Sequence, residues 1–249
     1  MGVRSILLRS FCENFSSNLR DLCFPITCCN CGEIVDSEGL CAECWKKIRW
    51  ISKPYCRICG EPFELDISSV CLRCLKQPPH FDHAVSVFEY DDFSRSIILK
   101  FKHGDATYMR RSLSMWMYRA AKDIVSDLIV STPIHFFKRL KRKYNQTELL
   151  AQELGRLFAI HYEPRVLTKE KPTIPQEGLT RYSRLTNVKG SFGVDSRYAP
   201  LLSGKVVMLV DDVMTTGATA DECAKILKKH GAEKVIILTA ARVSFAKIL

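Results

Sequence analysis

The 249-residue sequence has no apolar run approaching the roughly 20 residues that a membrane-crossing helix requires, which excludes a helical membrane protein. It has no low-complexity tract and, cysteine pairs aside, no repeat of long period, which excludes disordered and solenoid architectures. Near the N-terminus the only apolar stretch is Ile6-Leu7-Leu8, too short for the core of a signal peptide. The expectation is therefore a cytoplasmic protein without membrane insertion. No Gly-Lys-Ser/Thr ending occurs, so a Walker-type nucleotide loop is excluded. An N-terminal cysteine that could release ammonia from glutamine is also absent.

What is present is an ordinary globular composition, 47% hydrophobic and 26% charged, in a chain long enough for one large domain and one small one. The net charge of +10 is unevenly spread. The first 80 residues carry 10 basic and 9 acidic side chains, the remainder 27 and 18. Lys138, Arg139, Lys141, Arg142 and Lys143 form the densest point. A domain so charged attracts polyanions or phosphorylated small molecules, unless the charges merely form a solvated face.

Eleven of the twelve cysteines precede residue 75, and eight form four C-x-x-C pairs: Cys28/Cys31, Cys41/Cys44, Cys56/Cys59 and Cys71/Cys74. Gly32 and Gly60 follow the first and third pairs, where a turn that aims two sulfurs at one centre needs left-handed backbone. Two such turns supply the four soft ligands of a structural zinc. Disulfides are the alternative in a secreted protein, but cytosolic thiols stay reduced; iron–sulfur ligation fits closed pairs less well. Sequential pairing would unite Cys28, Cys31, Cys41 and Cys44 in one site and Cys56, Cys59, Cys71 and Cys74 in another. Spacing leaves interleaved pairing open, and Cys29 rivals Cys28. Four cysteines leave no open position for water, so the role is structural and the metal supplies folding energy.

The C-terminal part reads as α/β. A short apolar run, residues 206–210, predicts a buried parallel strand over 205–211. It ends in Asp211-Asp212 and passes through Thr215-Thr216-Gly217-Ala218-Thr219 into a helix reaching about His230, where Gly231 stops it. Residues 235–240 predict the next strand. Ligands of open α/β sheets sit beyond the carboxyl ends of strands. A Gly- and Thr-rich loop at a helix N-terminus surrounds a phosphate. Adjacent acids would repel that phosphate; they suit ribose hydroxyls, or a divalent ion bound to them. Together these describe a ribose 5-phosphate site.

Residues 206–219, VVMLVDDVMTTGAT, resemble the 5-phosphoribosyl-1-pyrophosphate (PRPP) signature of type I phosphoribosyltransferases. That resemblance implies Asp211 and Asp212 for the ribose hydroxyls, Thr215, Thr216, Gly217, Ala218 and Thr219 for the 5′-phosphate, and magnesium with PRPP. Further stretches resemble the ComF family, which joins a zinc ribbon to such a domain: residues 97–102 (IILKFK), 127–135 (DLIVSTPIH), 142–146 (RKYNQ), and Thr173, Gln176, Leu179, Arg184, Asn187 and Gly190. Lys143 stands where the family usually has glycine, and Ser131-Thr132 replaces a commoner Pro-Val pair. The implied fold is a type I phosphoribosyltransferase-like parallel sheet flanked by helices (80–249), with a small double zinc-ribbon region (23–79).

PRPP carries a pyrophosphate as well as a 5′-phosphate, and arginine grips phosphate bidentately. Arg142, Arg139 and Lys102 are the candidates, with Arg184 on a closing loop, residues 169–189, whose Pro172, Pro175 and Gly178 suit a lid. Lys102 reads equally as surface or site. Three roles stay open: a transferase displacing pyrophosphate to an unidentified acceptor, its catalytic residue unassigned; a PRPP-responsive binder without turnover; and, as the ComF resemblance implies, handling of single-stranded DNA with competence proteins during natural transformation. Phe136, Phe137, Tyr144 and Trp116, near basic residues, would fit stacking of single-stranded bases.

Overall fold

Aliphatic runs with no polar face build the centre of the protein. In a computed structural model, which describes residues 25–65, 68–103, 108–133, 145–171 and 186–245, they form a four-stranded parallel sheet. Its strands are β1 (His83–Glu89), β2 (Leu128–Ser131), β5 (Val206–Met214) and β6 (Lys234–Arg242), in the order β1-β6-β5-β2. A short antiparallel pair, β3 (Leu167–Lys169) and β4 (Phe192–Val194), stands apart. Central strand β6 is buried at every position after its first, and β5 is buried over residues 207–210, as parallel strands covered on both faces must be.

The period of two sorts the strand residues. Leu128, Val130, Val207, Leu209, Val235 and Ile237 join one core cluster with Ala220, Cys223, Ala224 and Leu227 of helix α6 (Ala218–Lys229). The alternating residues Ile129, Met208, Val210, Ile236 and Leu238 are also buried and point the other way. Helices α4 (Met109–Ala121) and α5 (Gln146–Phe158) pack on each other and on the strands. α3 (Asp92–His103) follows β1. No described helix is long and apolar enough to cross a membrane.

The chain falls into two compact units, Met1–Lys47 and Ile48–Leu249. The described part of the first unit, residues 25–47, holds the first two cysteine pairs and helix α1 (Ala42–Lys47). The second two pairs, with helix α2 (Leu72–Lys76), belong to the larger unit, and Cys56, Cys59 and Cys74 are part of its core cluster.

Two expectations change. The strand predicted to end at Asp211 continues to Met214, because β6 keeps pairing with it as far as Met214↔Arg242. Trp116, considered for stacking on bases, is only 8% exposed. Its ring meets Trp50 edge-on at 5.4 Å and Phe88 at 6.5 Å, so burial of a large apolar side chain claims it for the core.

Candidate functional site

Each cysteine quartet joins a turn to a helix. In the first unit the Cys28 amide donates to the Glu33 carbonyl at 2.7 Å and the Gly32 amide to the Cys28 carbonyl at 3.0 Å, with Gly32 at φ +82°. The larger unit repeats this: Cys56 to Glu61 and Gly60 to Cys56, both 2.7 Å, with Gly60 at φ +71°. In each case the second pair straddles a helix start, Cys41 just before α1 with Cys44 in it, and Cys71 just before α2 with Cys74 in it. The sulfurs of Cys28, Cys31, Cys41 and Cys44 lie within 4.8 Å of one another, as do those of Cys56, Cys59, Cys71 and Cys74. Pairing is thus sequential, and Cys29, buried with its amide on the Gly39 carbonyl, stands outside the first quartet.

The quartets fit zinc. Tetrahedral Zn–S bonds of about 2.3 Å put sulfurs about 3.8 Å apart. Cys31 and Cys41 are 3.7 Å apart, and so are Cys59 and Cys71. A hydrogen bond from Cys59, together with the amides of Cys59, Cys71 and Ile58, outweighs burial and holds the Cys56 thiol down at about 4, while that same bond and then burial push the Cys59 thiol up. Such closed four-sulfur sites serve structure.

The second site lies at the carboxyl end of β5. The last β2–β5 pair is Ser131↔Val210, so Asp211 and Asp212 stand just past the end of β2 while still on a strand held by β6. After Met214 the chain bends through Thr215 and Thr216 to Gly217 at φ +81°, and α6 begins at Ala218. Gly217 caps α6 without a side-chain hydrogen bond, so the amides of the first turn receive no acceptor from the cap residue. The loop thus sets helix amides beside two carboxylates, as a phosphate next to a polyhydroxyl would need.

Lys102, near the end of α3, reaches this site: its Nζ lies 2.9 Å from Asp212 Oδ2. Burial opposes the Lys102 charge, yet the Asp212 carboxylate outweighs it and raises the ammonium above its ordinary value. Asp211 behaves oppositely. Burial and then the Asp212 charge push its carboxyl up to about 7, against the Asp212 amide, Lys102 and a hydrogen bond from Thr132. Arg139, Arg142 and Arg184 lie outside the described residues, as do Lys143, Phe136, Phe137, Tyr144 and most of the expected lid.

Four residues without an assigned role in the sequence reading shape the site. Gln146, 2% exposed, donates from Nε2 to the Lys102 carbonyl at 2.8 Å and so anchors the end of α3. Its neighbour Asn145 caps α5, accepting from the Thr147 amide at 3.2 Å. Thr132 Oγ1 donates to the Val210 carbonyl at 3.3 Å, beside Asp211, whose carboxyl the hydroxyl helps to lower; a valine, common at that position, has no hydroxyl to do so. Arg73 of α2 donates to the Thr216 carbonyl. Asn145, Gln146 and Thr132 lie in stretches that carried the resemblance, and nothing local marks Arg73.

Comparison with known proteins agrees with this architecture. The double zinc ribbon domain family matches residues 19–75, and the phosphoribosyl transferase domain family matches residues 147–245. Competence protein F of Haemophilus influenzae is 33% identical over 230 residues, 88% of this chain and 98% of that protein. DNA utilization protein YhgH of Escherichia coli is 30% identical over 204 residues, 79% of this chain and 87% of that protein. Competence protein ComFC of Streptococcus pneumoniae is 23% identical over 203 residues, 80% of this chain and 86% of that protein. With both cysteine quartets assembled, the parallel sheet formed and these relatives matched over most of the chain, the protein belongs to the ComF-like family of double zinc ribbon phosphoribosyltransferase-domain proteins.

Proposed function

We propose that this protein binds PRPP and acts in the handling of single-stranded DNA during natural transformation. The observation that carries the ligand assignment is the position of Asp211 and Asp212, just past the end of β2 and beside the Gly217 entry to α6. In this reading the two carboxylates take the ribose hydroxyls with magnesium, and residues 215–219 take the 5′-phosphate. Lys102 leaves Asp212 as the ligand enters and, with Arg139, Arg142 and Arg184, meets the pyrophosphate. Residues 23–79 form the metal-holding region of this scheme and residues 80–249 the ligand-binding part. The DNA role rests on the names of the relatives, competence and DNA utilization, and on the basic excess after residue 80.

Calorimetric titration of zinc-loaded protein with PRPP and magnesium tests the ligand. Saturable binding that disappears in the Asp211→Asn/Asp212→Asn double variant supports it; no binding by folded wild type refutes it. Pyrophosphate release with candidate acceptors then reads turnover. A labelled single-stranded oligonucleotide titrated at two salt concentrations tests the DNA role, which predicts binding that weakens as salt rises.

A further inference from the structure

Helix α2 is five residues long, yet it contains Cys74 and directly follows Cys71, two sulfurs of the second quartet. Between them stands Arg73, which contributes no metal ligand. Its guanidinium donates to the backbone carbonyl of Thr216, 143 residues later, in the phosphate loop. The same guanidinium lies over the Phe245 ring, 4.3 Å from its centroid. Phe245 is itself fixed: its amide donates to Glu61 Oε1 at 2.7 Å, and Arg242 lies 5.1 Å from the ring on its other contact. Arg242 in turn donates to the carbonyl of Cys59, another sulfur ligand of the quartet. A chain of contacts therefore runs from the second metal site to the loop.

The chemistry of the peptide unit gives that chain a purpose. In a planar trans peptide, a carbonyl pointing one way sends the following N–H the other way. With the Thr216 carbonyl turned toward Arg73, the Gly217 amide points to the opposite side of the loop. Gly217 tolerates either sign of φ, and as the cap residue it offers no side chain to hold the start of α6. Within the loop the Ala218 amide donates to Thr216 Oγ1 at a long 3.4 Å, and Arg73 adds a hold from outside on the Thr216 carbonyl itself.

We propose that Arg73 is a positioning residue coupling the second metal site to the phosphate loop: it locks the Thr216–Gly217 peptide so that the Gly217 amide faces the 5′-phosphate of the ligand. The proposal rests on the phosphoribosyl reading of the site. Zinc at Cys56, Cys59, Cys71 and Cys74 holds α2, and α2 holds the loop.

The test compares full-length wild type, Arg73→Ala and Arg73→Lys. It measures zinc content, hydrogen exchange of the peptide spanning 214–220, and titrations with PRPP, ribose 5-phosphate and inorganic pyrophosphate. In Arg73→Ala both zincs should remain, loop exchange should quicken, and ribose 5-phosphate affinity should fall at least about tenfold, the size of a lost charged hydrogen bond, with pyrophosphate affinity unchanged. Arg73→Lys, which keeps the charge and stem but not the planar stack, should fall between. It also serves as the folded comparison if alanine is not tolerated. Removing the second zinc by chelation should reproduce the alanine pattern. Wild-type loop exchange and affinity in Arg73→Ala overturn the assignment, as does equal weakening of both probes, which signals general loss of fold. A wild type that binds neither PRPP nor ribose 5-phosphate instead overturns the phosphoribosyl reading, while loop exchange still reports on the Arg73 contact itself.

Discussion

Adjacent carboxylates at the end of a buried strand repel each other unless a cation or a proton intervenes, and this protein uses both. Lys102 neutralises Asp212 at 2.9 Å, and Asp211, pushed up to about 7, keeps its proton into the neutral range. An unfolded aspartate ionises near 4, so the buried carboxyl lowers stability progressively as pH rises from about 4 to about 7. Ligand binding should show the opposite trend. If magnesium and ribose require ionised Asp211, PRPP affinity should be about tenfold weaker at pH 6 than at pH 8, with the midpoint near 7. Calorimetry across that range checks it, and a flat profile would count against a role for Asp211. Lys102→Met removes a charge that lowers Asp211, so it should move the midpoint upward.

The two cysteine knuckles have the same local form but different surroundings, and a single methyl group separates them. A Cβ at Gly32 would meet nothing within 4 Å, whereas one at Gly60 would lie 2.6 Å from the carbonyl oxygen of Ala84 on β1. Both positions have positive φ, so Gly32→Ala should cost about 1–2 kcal/mol from backbone conformation alone. Gly60→Ala adds a clash with a strand that has little freedom to yield, raising the total by a further ~1–3 kcal/mol. Denaturant melts of the two variants, with zinc content measured beside them, should show Gly60→Ala as clearly the less stable. Equal losses would mean that the second knuckle does not press on β1 in solution.

At the scale of the larger unit, the second quartet is joined to the sheet by an ion pair removed from water. Arg242, fully buried at the end of β6, meets Glu61 at 2.5 Å. Glu61 Oε1 also accepts from Ser244 Oγ at 2.9 Å and from the Phe245 amide at 2.7 Å. Removing one partner strands the other charge, so Arg242→Met should cost about 3–5 kcal/mol, while replacing both Arg242 and Glu61 by methionine should recover part of the loss. Urea unfolding of both variants, compared through a double-mutant cycle, measures the coupling. No recovery in the double variant would show that packing rather than charge dominates.

Residue types and spacing alone determined much of this protein. Four C-x-x-C pairs announce metal, the apolar run of residues 206–210 announces a buried strand, and Asp211-Asp212 with the following Thr-Gly loop mark the site for which we propose a polyhydroxyl beside a phosphate. These signals are local: each needs only neighbours along the chain to carry meaning. Which sulfurs share a centre, how far β5 extends, and why Trp116 is unavailable to bases depended on the tertiary structure. So did the Lys102–Asp212 pair, the Gln146 anchor and the Arg73 contact. Each joins segments remote in sequence, and hydrogen bonds, ion pairs and burial act through space, so only the folded chain could decide them.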